Sequence, residues 1–371
     1  MKQYRIAECL NQIRLIGRTY QDMEQEIIYF NWTCSGMEFE FTGTCLLAQV
    51  YAVPADEYDG IPPIAPKRRV FPWIAVFLDE EEVPIRRMEI SSEQETVIIF
   101  ASERIETHKI RIIKLSENAK GKVGIGSFSM EGSITKLLCN TDKRRSMEFI
   151  GDSITCGFGN ETQEKERFFY SGEENGWMSH AAVAARLLQA DFNMICVSGI
   201  TVGEGIGKIK WPLNPMQSLY PYTDRLYEES QKNNNSLTEW NFKLWIPDLI
   251  VINLGTNDST VISMEGDYRK GEINFERNYY EFLQLVRRLN GPKPVLLCTL
   301  GSMDYYLYEN LEKAVENYTK DTKDTKVKCF KYGKIKLQEG YGACGHPSMS
   351  TQIRMGTELA DYIKELGLFI D

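Results

Sequence analysis

Residues 147–159 read MEFIGDSITCGFG, and the order of residue types in this stretch decides the fold. The strand-like run 147–150 breaks at Gly151, Asp152 and Ser153, residues that take a chain out of a sheet. In an open parallel sheet such exits lie at the carboxyl ends of the strands, where functional groups collect. A glycine before the turn lets the backbone bend sharply and exposes the serine hydroxyl and its N–H. Taken alone, Gly-Asp-Ser is also ordinary turn chemistry, so the stretch gains meaning from its surroundings.

Downstream, further strand-like runs at 193–197, 248–253, 294–300 and 326–330 alternate with amphipathic helical patterns at 177–189, 274–289, 306–319 and 350–366. That alternation predicts an α/β architecture, a mostly parallel sheet covered on both faces. Upstream the rhythm differs. Short apolar or alternating runs at 37–41, 45–52, 73–78, 96–101, 108–114 and 122–128 are separated by turn-formers, which reads as an all-β sandwich. Composition and period both switch in the polar stretch 140–145, so two domains are expected, 1–143 and 144–371.

The chain has 371 residues, 43% of them hydrophobic and 26% charged, the balance of a globular protein with a core to bury. With 43 Lys and Arg against 52 Asp and Glu, its formal charge is −9. An acidic surface repels phosphate backbones, and the longest basic run is Lys143, Arg144, Arg145, so no nucleic acid is expected as a partner. No window approaches about 18 uninterrupted apolar residues, so no membrane-spanning helix is expected. The first fifteen residues lack the apolar stretch and cleavage site of a secretory signal, which points to the cytoplasm. Nine cysteines without a C-x-x-C pair fit a reducing compartment, and with only His108, His180 and His346 as histidines no metal or cofactor is expected. Oligomeric state is not legible.

Three further segments place chemistry at strand ends. The second strand ends in CVSGIT, where Gly199 offers a backbone N–H, and the third in VINLGTNDST, where Asn257 offers a side-chain NH₂. Such donors can form an oxyanion hole together with the N–H of Ser153. His346 follows Gly345 and precedes Pro347 and Ser348, stop and cap signals before the last helix, within reach of Ser153. His108 in a strand-like run and His180 in a helix read as surface or packing residues. Trp177 and Trp211 are candidate stacking platforms, and with Asp152 they complete the set as substrate-binding residues. The segment 203–208 (GEGIGK) fails as a phosphate loop, because Val202 occupies the first glycine's place and Ile209 replaces Ser/Thr.

The ordered set Gly-Asp-Ser, strand-terminal glycine, Gly-x-Asn-Asp and carboxyl-terminal His-Pro resembles the SGNH (GDSL-type) hydrolases, with Ser153, Gly199, Asn257 and His346 in the four named positions. The blocks span 147–366 in the family's order. FNWTCSGMEFEFTGT at 30–44 is similar to the opening of the jelly-roll domain in two-domain carbohydrate esterases of family two. The resemblance implies a flavodoxin-like three-layer sheet preceded by a jelly-roll sandwich. It also implies serine ester hydrolysis of acetyl groups from β-linked xylan or mannan oligosaccharides, with a preference for the 6-position. SGNH hydrolases carry an aspartate three residues before the histidine, and here that position is Ala343. The preferred reading is a Ser-His dyad in which a backbone carbonyl holds the imidazole, as in some family-two esterases; the alternative is that a carboxylate such as Glu339 substitutes. Under either, activity should fall as pH drops through the histidine's range, roughly 6–7 for an unperturbed ring. The competing readings are a thioesterase, general esterase or sugar O-acetyltransferase on the same residues, and a degenerate carbohydrate-binding protein.

Overall fold

The computed structural model describes residues 1–59, 65–137, 145–162, 164, 169–210, 214–231 and 237–369. The boundary stretch 140–145, except Arg145, and Trp211 lie outside them. The chain divides into two compact units, Met1–Lys143 with Phe168–Gly176, and Arg144–Arg167 with Trp177–Asp371.

In the first unit nine strands form one antiparallel sheet. Its centre is Gly36–Val53, flanked by Gln94–Lys114 and Lys122–Thr135. The runs read as 37–41 and 45–52 are one strand of 18 residues, and those read as 96–101 and 108–114 are one of 21. The turn-formers between them do not reverse the chain. They are absorbed as register shifts, between Ala101 and Glu106 on one flank and between Glu131 and Gly132 on the other. Glycine makes this crossing possible: a Cβ on Gly43 would lie 2.2 Å from the Glu131 carbonyl oxygen, and Gly132 has φ +151°. Phe39 and Phe41 before the bend share one buried core with Leu46 and Val50 after it, so a single sheet closes over its own apolar face. Residues 169–176 join this unit through Gly176 N–H to Leu115 O (3.0 Å), Ser171 N–H to Glu57 Oε2 (3.0 Å) and Glu117 N–H to Glu174 Oε2 (2.8 Å).

In the second unit the strands β1 (Ser146–Gly151), β2 (Asp191–Cys196), β3 (Leu249–Asn253), β4 (Val295–Leu300) and β5 (Val327–Lys331) form a parallel sheet in the order β2-β1-β3-β4-β5. β3 reads LIVIN and is buried throughout, the continuous apolar run of a strand covered on both faces. The strand order reverses at β1, whose neighbours are β2 and β3, and a ligand crevice opens at such a switch point. Register aligns the ends there: Gly151 pairs with Cys196 and with Asn253, and Asn253 with Thr299.

Besides two short helices, Met216–Leu219 and Arg225–Ser230, the unit has α1 (Ser153–Cys156), α2 (His180–Leu187), α3 (Thr256–Glu265), α4 (Tyr268–Asn290), α5 (Tyr308–Thr322) and α6 (Met349–Glu365). The helical patterns expected from sequence appear as α2, α4, α5 and α6. α3 was not anticipated, because TNDSTVISME carries no clear apolar stripe. α4 packs on α5, and α2 on α6. Among the described residues no helix is long and apolar enough to cross a membrane.

The contact between α2 and α6 is close because Gly356 has no side chain: a Cβ there would lie 2.6 Å from Val183 Cγ1 and 2.9 Å from His180 O. Gly356→Ala should therefore destabilise the protein by about 1–3 kcal/mol through overpacking, seen as a melting temperature several degrees lower. An unchanged melting temperature would refute the tight contact.

Candidate active site

β1 ends at Gly151, and Asp152 caps the single turn α1, its Oδ1 accepting from Ile154 N–H at 2.9 Å. Glycine is required at 151, since a Cβ there would lie 2.0 Å from Thr155 Oγ1. Gly157 ends the turn at φ +82°, and Phe158 N–H closes back on Ser153 O at 3.0 Å. Ser153 thus starts a short turn braced at both ends, with its hydroxyl at the carboxyl edge of the sheet.

The loop before α6 delivers the second group. It docks on the residues that follow the serine turn: Ala343 N–H donates to Gly159 O (3.1 Å) and Met349 N–H to Asn160 O (2.8 Å). His346 Nε2 lies 2.8 Å from Ser153 Oγ, and its Nδ1 lies 2.9 Å from Ala343 O. A carbonyl oxygen only accepts, so Nδ1 carries the proton and Nε2 presents its lone pair to the serine hydroxyl. The Phe158 ring stacks on the imidazole, centroids 4.2 Å apart. Burial pushes the His346 pKa down to about 4, against the upward pull of the Ala343 carbonyl.

Glu339, the carboxylate weighed as a substitute, is engaged elsewhere. Its Oε1 accepts from Arg354 Nε at 2.7 Å and its Oε2 from Thr351 Oγ1 at 3.1 Å. The hydrogen bonds to Arg354 and Thr351 outweigh its burial and hold its carboxyl below the usual range. The imidazole is held by the carbonyl of residue 343, at the position where an aspartate was expected.

Asn257, in the first turn of α3, donates from Nδ2 to Ile200 O at 3.1 Å and lies 3.4 Å from Asp152 Oδ2. Gly199, with φ +79°, is the residue before Ile200. The structure therefore gathers Ser153, His346, Asn257 and the turn carrying Gly199 around the ends of β1, β2 and β3. Two of the residues read as substrate-binding are buried away from any substrate. Asp152 is 0% exposed and is spent on Ile154 and Asn257, so it positions rather than touches a substrate. Trp177 is 4% exposed, packed against the Arg186 guanidinium and Phe192, so its ring is core and not a groove wall. Trp211 lies outside the described residues. His180 is wholly buried, its Nδ1 3.1 Å from Gln352 Oε1, and burial drives its pKa to about 4. His108 lies at the surface between Asp79 and Glu106.

Sequence reasoning missed Asp258, 6% exposed, whose two carboxylate oxygens each lie 3.2 Å from Val202 N. The Gly-x-Asn-Asp block held the signal, but a second acid beside a donor asparagine says nothing of its direction until α3 is known. Burial pushes the carboxyls of both Asp152 and Asp258 up to about 7, and the nearness of Asp152 adds to the effect on Asp258. Together the groups offer a serine hydroxyl with a neutral base, beside amide donors in a poorly solvated corner, the elements of acyl transfer.

Comparison with known proteins bears on the fold and the family. Residues 149–326 match the GDSL-like lipase/acylhydrolase family, and residues 15–137 match the carbohydrate esterase 2 N-terminal family. A cellulase/esterase of Acetivibrio thermocellus is 31% identical over 296 residues, 79% of this chain and 34% of that protein. An acetylxylan esterase / glucomannan deacetylase of Cellvibrio japonicus is 28% identical over 221 residues, 56% of each chain. The chain thus spans about a third and just over half of these two relatives. A family two carbohydrate esterase from Clostridium thermocellum, solved in complex with cellohexaose, superposes with a TM-score of 0.78 at 27% identity, covering 96% of this chain and 100% of that one. An acetyl xylan esterase from the rumen bacterium Butyrivibrio proteoclasticus has the same fold over the whole of both chains, with a TM-score of 0.82 at 20% identity. The chain thus joins a carbohydrate esterase 2 N-terminal domain, residues 15–137, to a GDSL-like lipase/acylhydrolase domain, residues 149–326.

Proposed function

We propose that the protein is a carbohydrate acetyl esterase that removes O-acetyl groups from β-linked oligosaccharides of the xylan and mannan type. The observation that carries this reading is the 2.8 Å contact between His346 Nε2 and Ser153 Oγ, with Nδ1 committed to Ala343 O. His346 accepts the proton of Ser153 as Oγ attacks the acetyl carbonyl, and the tetrahedral oxyanion is stabilised by the N–H groups of Ser153 and Gly199 and by the Asn257 amide hydrogen released from its long 3.4 Å contact with Asp152. The imidazolium then protonates the departing sugar oxygen, and water repeats the cycle on the acetyl-enzyme. The base works as a dyad, oriented by a carbonyl dipole in place of a carboxylate. The relatives' names support the glycan class, and the 6-position stands on the family resemblance. The eight described cysteines, all free thiols, suit a reducing cytoplasm.

Acetate release from acetylated xylo- and manno-oligosaccharides, followed at each acetyl position by NMR, tests the reading. Ser153→Ala and His346→Ala should each lower kcat/KM by about 10⁴-fold or more. Turnover surviving in either variant would overturn it, and acetyl appearing on a sugar acceptor in place of free acetate would make the enzyme a transferase.

The base must be neutral to act, so activity is present above its pKa and lost as pH falls through it. With His346 near 4, the acid limb of kcat/KM should lie near pH 4, below the 6–7 of an unperturbed ring. At pH 5 a base with the ordinary pKa would leave only about 3% of the rate. Imidazole NMR should show the His346 ring titrating near 4, and a midpoint near 6.5 would contradict a desolvated base. Glu339→Gln should lower thermal stability through the lost Arg354 pair while kcat stays within about threefold of wild type. A loss of 10²-fold or more would assign the orienting role to Glu339.

A further inference from the structure

Asn257 and Asp258 are consecutive residues in the first turn of α3, and both side chains reach the same turn. Asn257 Nδ2 donates to Ile200 O at 3.1 Å, and Asp258 accepts from Val202 N–H, both oxygens at 3.2 Å. The turn between them is buried, with Ile200, Thr201 and Val202 each at most 2% exposed, and the Val202 N–H has no water to turn to. Resting on the hydrolytic reading of the site, we propose that Asp258 is a positioning residue for ester hydrolysis, fixing from its far side the turn that presents the Gly199 N–H to the oxyanion.

The geometry explains why two residues share the task. Asn257 holds the 200 carbonyl, and the 201 and 202 carbonyls accept from Met216 N–H (2.9 Å) and Gln217 N–H (3.1 Å), so three acceptors of the turn are fixed from outside it. Asp258 supplies the matching hold on the donor side, at Val202 N–H. Gly199, just ahead of the clamped stretch at φ +79°, takes its N–H direction from it. An oxyanion donor acts only where it meets the developing charge, and displacement of a reacting group by about 1 Å costs on the order of 10²-fold in rate. Asp258 itself never meets the substrate: it is buried behind the turn and acts through it.

The experiment compares Asp258→Ala, Asp258→Asn and Asn257→Ala with wild type, all rates normalised to active sites titrated by the acetyl-enzyme burst. Asp258→Ala should lower kcat about 10- to 100-fold with KM within about twofold. It should lose affinity for a phosphonate mimic of the tetrahedral intermediate by the same factor. Asp258→Asn keeps an acceptor oxygen for Val202 N–H and should recover most of that loss. A merely structural role would lower melting temperature and burst amplitude but leave kcat per active site unmoved, and that result would overturn the proposal. So would equal losses in the Asn and Ala variants, which would mean that the charge matters and not the acceptor. If Asp258→Ala does not fold, Asp258→Ser, whose hydroxyl is too short to span the gap, is read in the same way. Asn257→Ala separates this inference from the reading beneath it: an unchanged rate there removes the oxyanion assignment itself. A loss there of about 10²-fold or more with none in Asp258→Ala removes only the role of Asp258.

Discussion

The 2.9 Å hydrogen bond from His346 Nδ1 to the carbonyl oxygen of Ala343 determines what the rest of the site can do. Because that oxygen can only accept, it selects one tautomer and aims the bare Nε2 at Ser153. The same carbonyl accepts from His346 N–H at 3.0 Å, so ring and backbone are fixed by one atom. Everything around it serves to hold that atom still. The 343 peptide is anchored on Gly159 O, Gly342 N–H closes on His346 O at 2.8 Å, and Ser348 caps α6 while its hydroxyl donates to Glu339 O at 2.6 Å. Glu339 and Arg354 then tie the loop to the helix it precedes. The carboxylate read from sequence as a possible catalytic partner is a brace for the loop that carries the base.

The sheet supplies the second constraint. Aligned ends at Gly151, Cys196 and Asn253 mean that the turns after β1, β2 and β3 leave the sheet side by side. Short residues at those exits let the turns approach, and short polar side chains can then reach from one to the next. Gln352 adds a further tie, donating to Ile154 O at 2.8 Å and accepting from His180 N–H at 2.8 Å, which binds α6 to both the serine turn and α2. The nucleophile and its base come from opposite ends of this unit's sequence, yet direct hydrogen bonds join their supports.

How much of this could be read from the sequence follows from what kind of signal each feature leaves. The parallel strands were legible because a strand buried on both faces must be continuously apolar, as LIVIN is. Ser153 could be singled out because it stands where a strand-like run stops, and His346 because it sits just before the stop and cap residues of the last helix. Burial direction was not. Asp152 and Trp177 flank functional turns in sequence, yet the first points under the serine turn and the second into the core, and nothing in residue order distinguishes inward from outward at a loop. The fused strands of the β-rich unit were misread for a related reason: Gly43 looks like a turn, whereas its partner Gly132, far along the chain, makes it a crossing point. The orientation of the imidazole stayed open because a backbone carbonyl is present at every residue and leaves no mark in sequence.

Replacing the usual aspartate by a carbonyl changes the energetics of the base as well as its geometry. A carboxylate beside Nδ1 would favour the imidazolium and raise the ring's pKa, whereas a neutral dipole in a buried corner cannot offset desolvation, and the pKa falls to about 4. The base is then weaker in proton affinity but remains neutral in mild acid. The imidazolium formed during the reaction lacks a counter-charge, so more of the stabilisation must come from the oxyanion side. There, burial holds the carboxyls of Asp152 and Asp258 near 7, so in mild acid they are protonated and put no full negative charge beside the donors. A site that leaves its base unassisted by charge is thus also one whose oxyanion donors are least opposed by charge in mild acid, and both properties follow from the same exclusion of water.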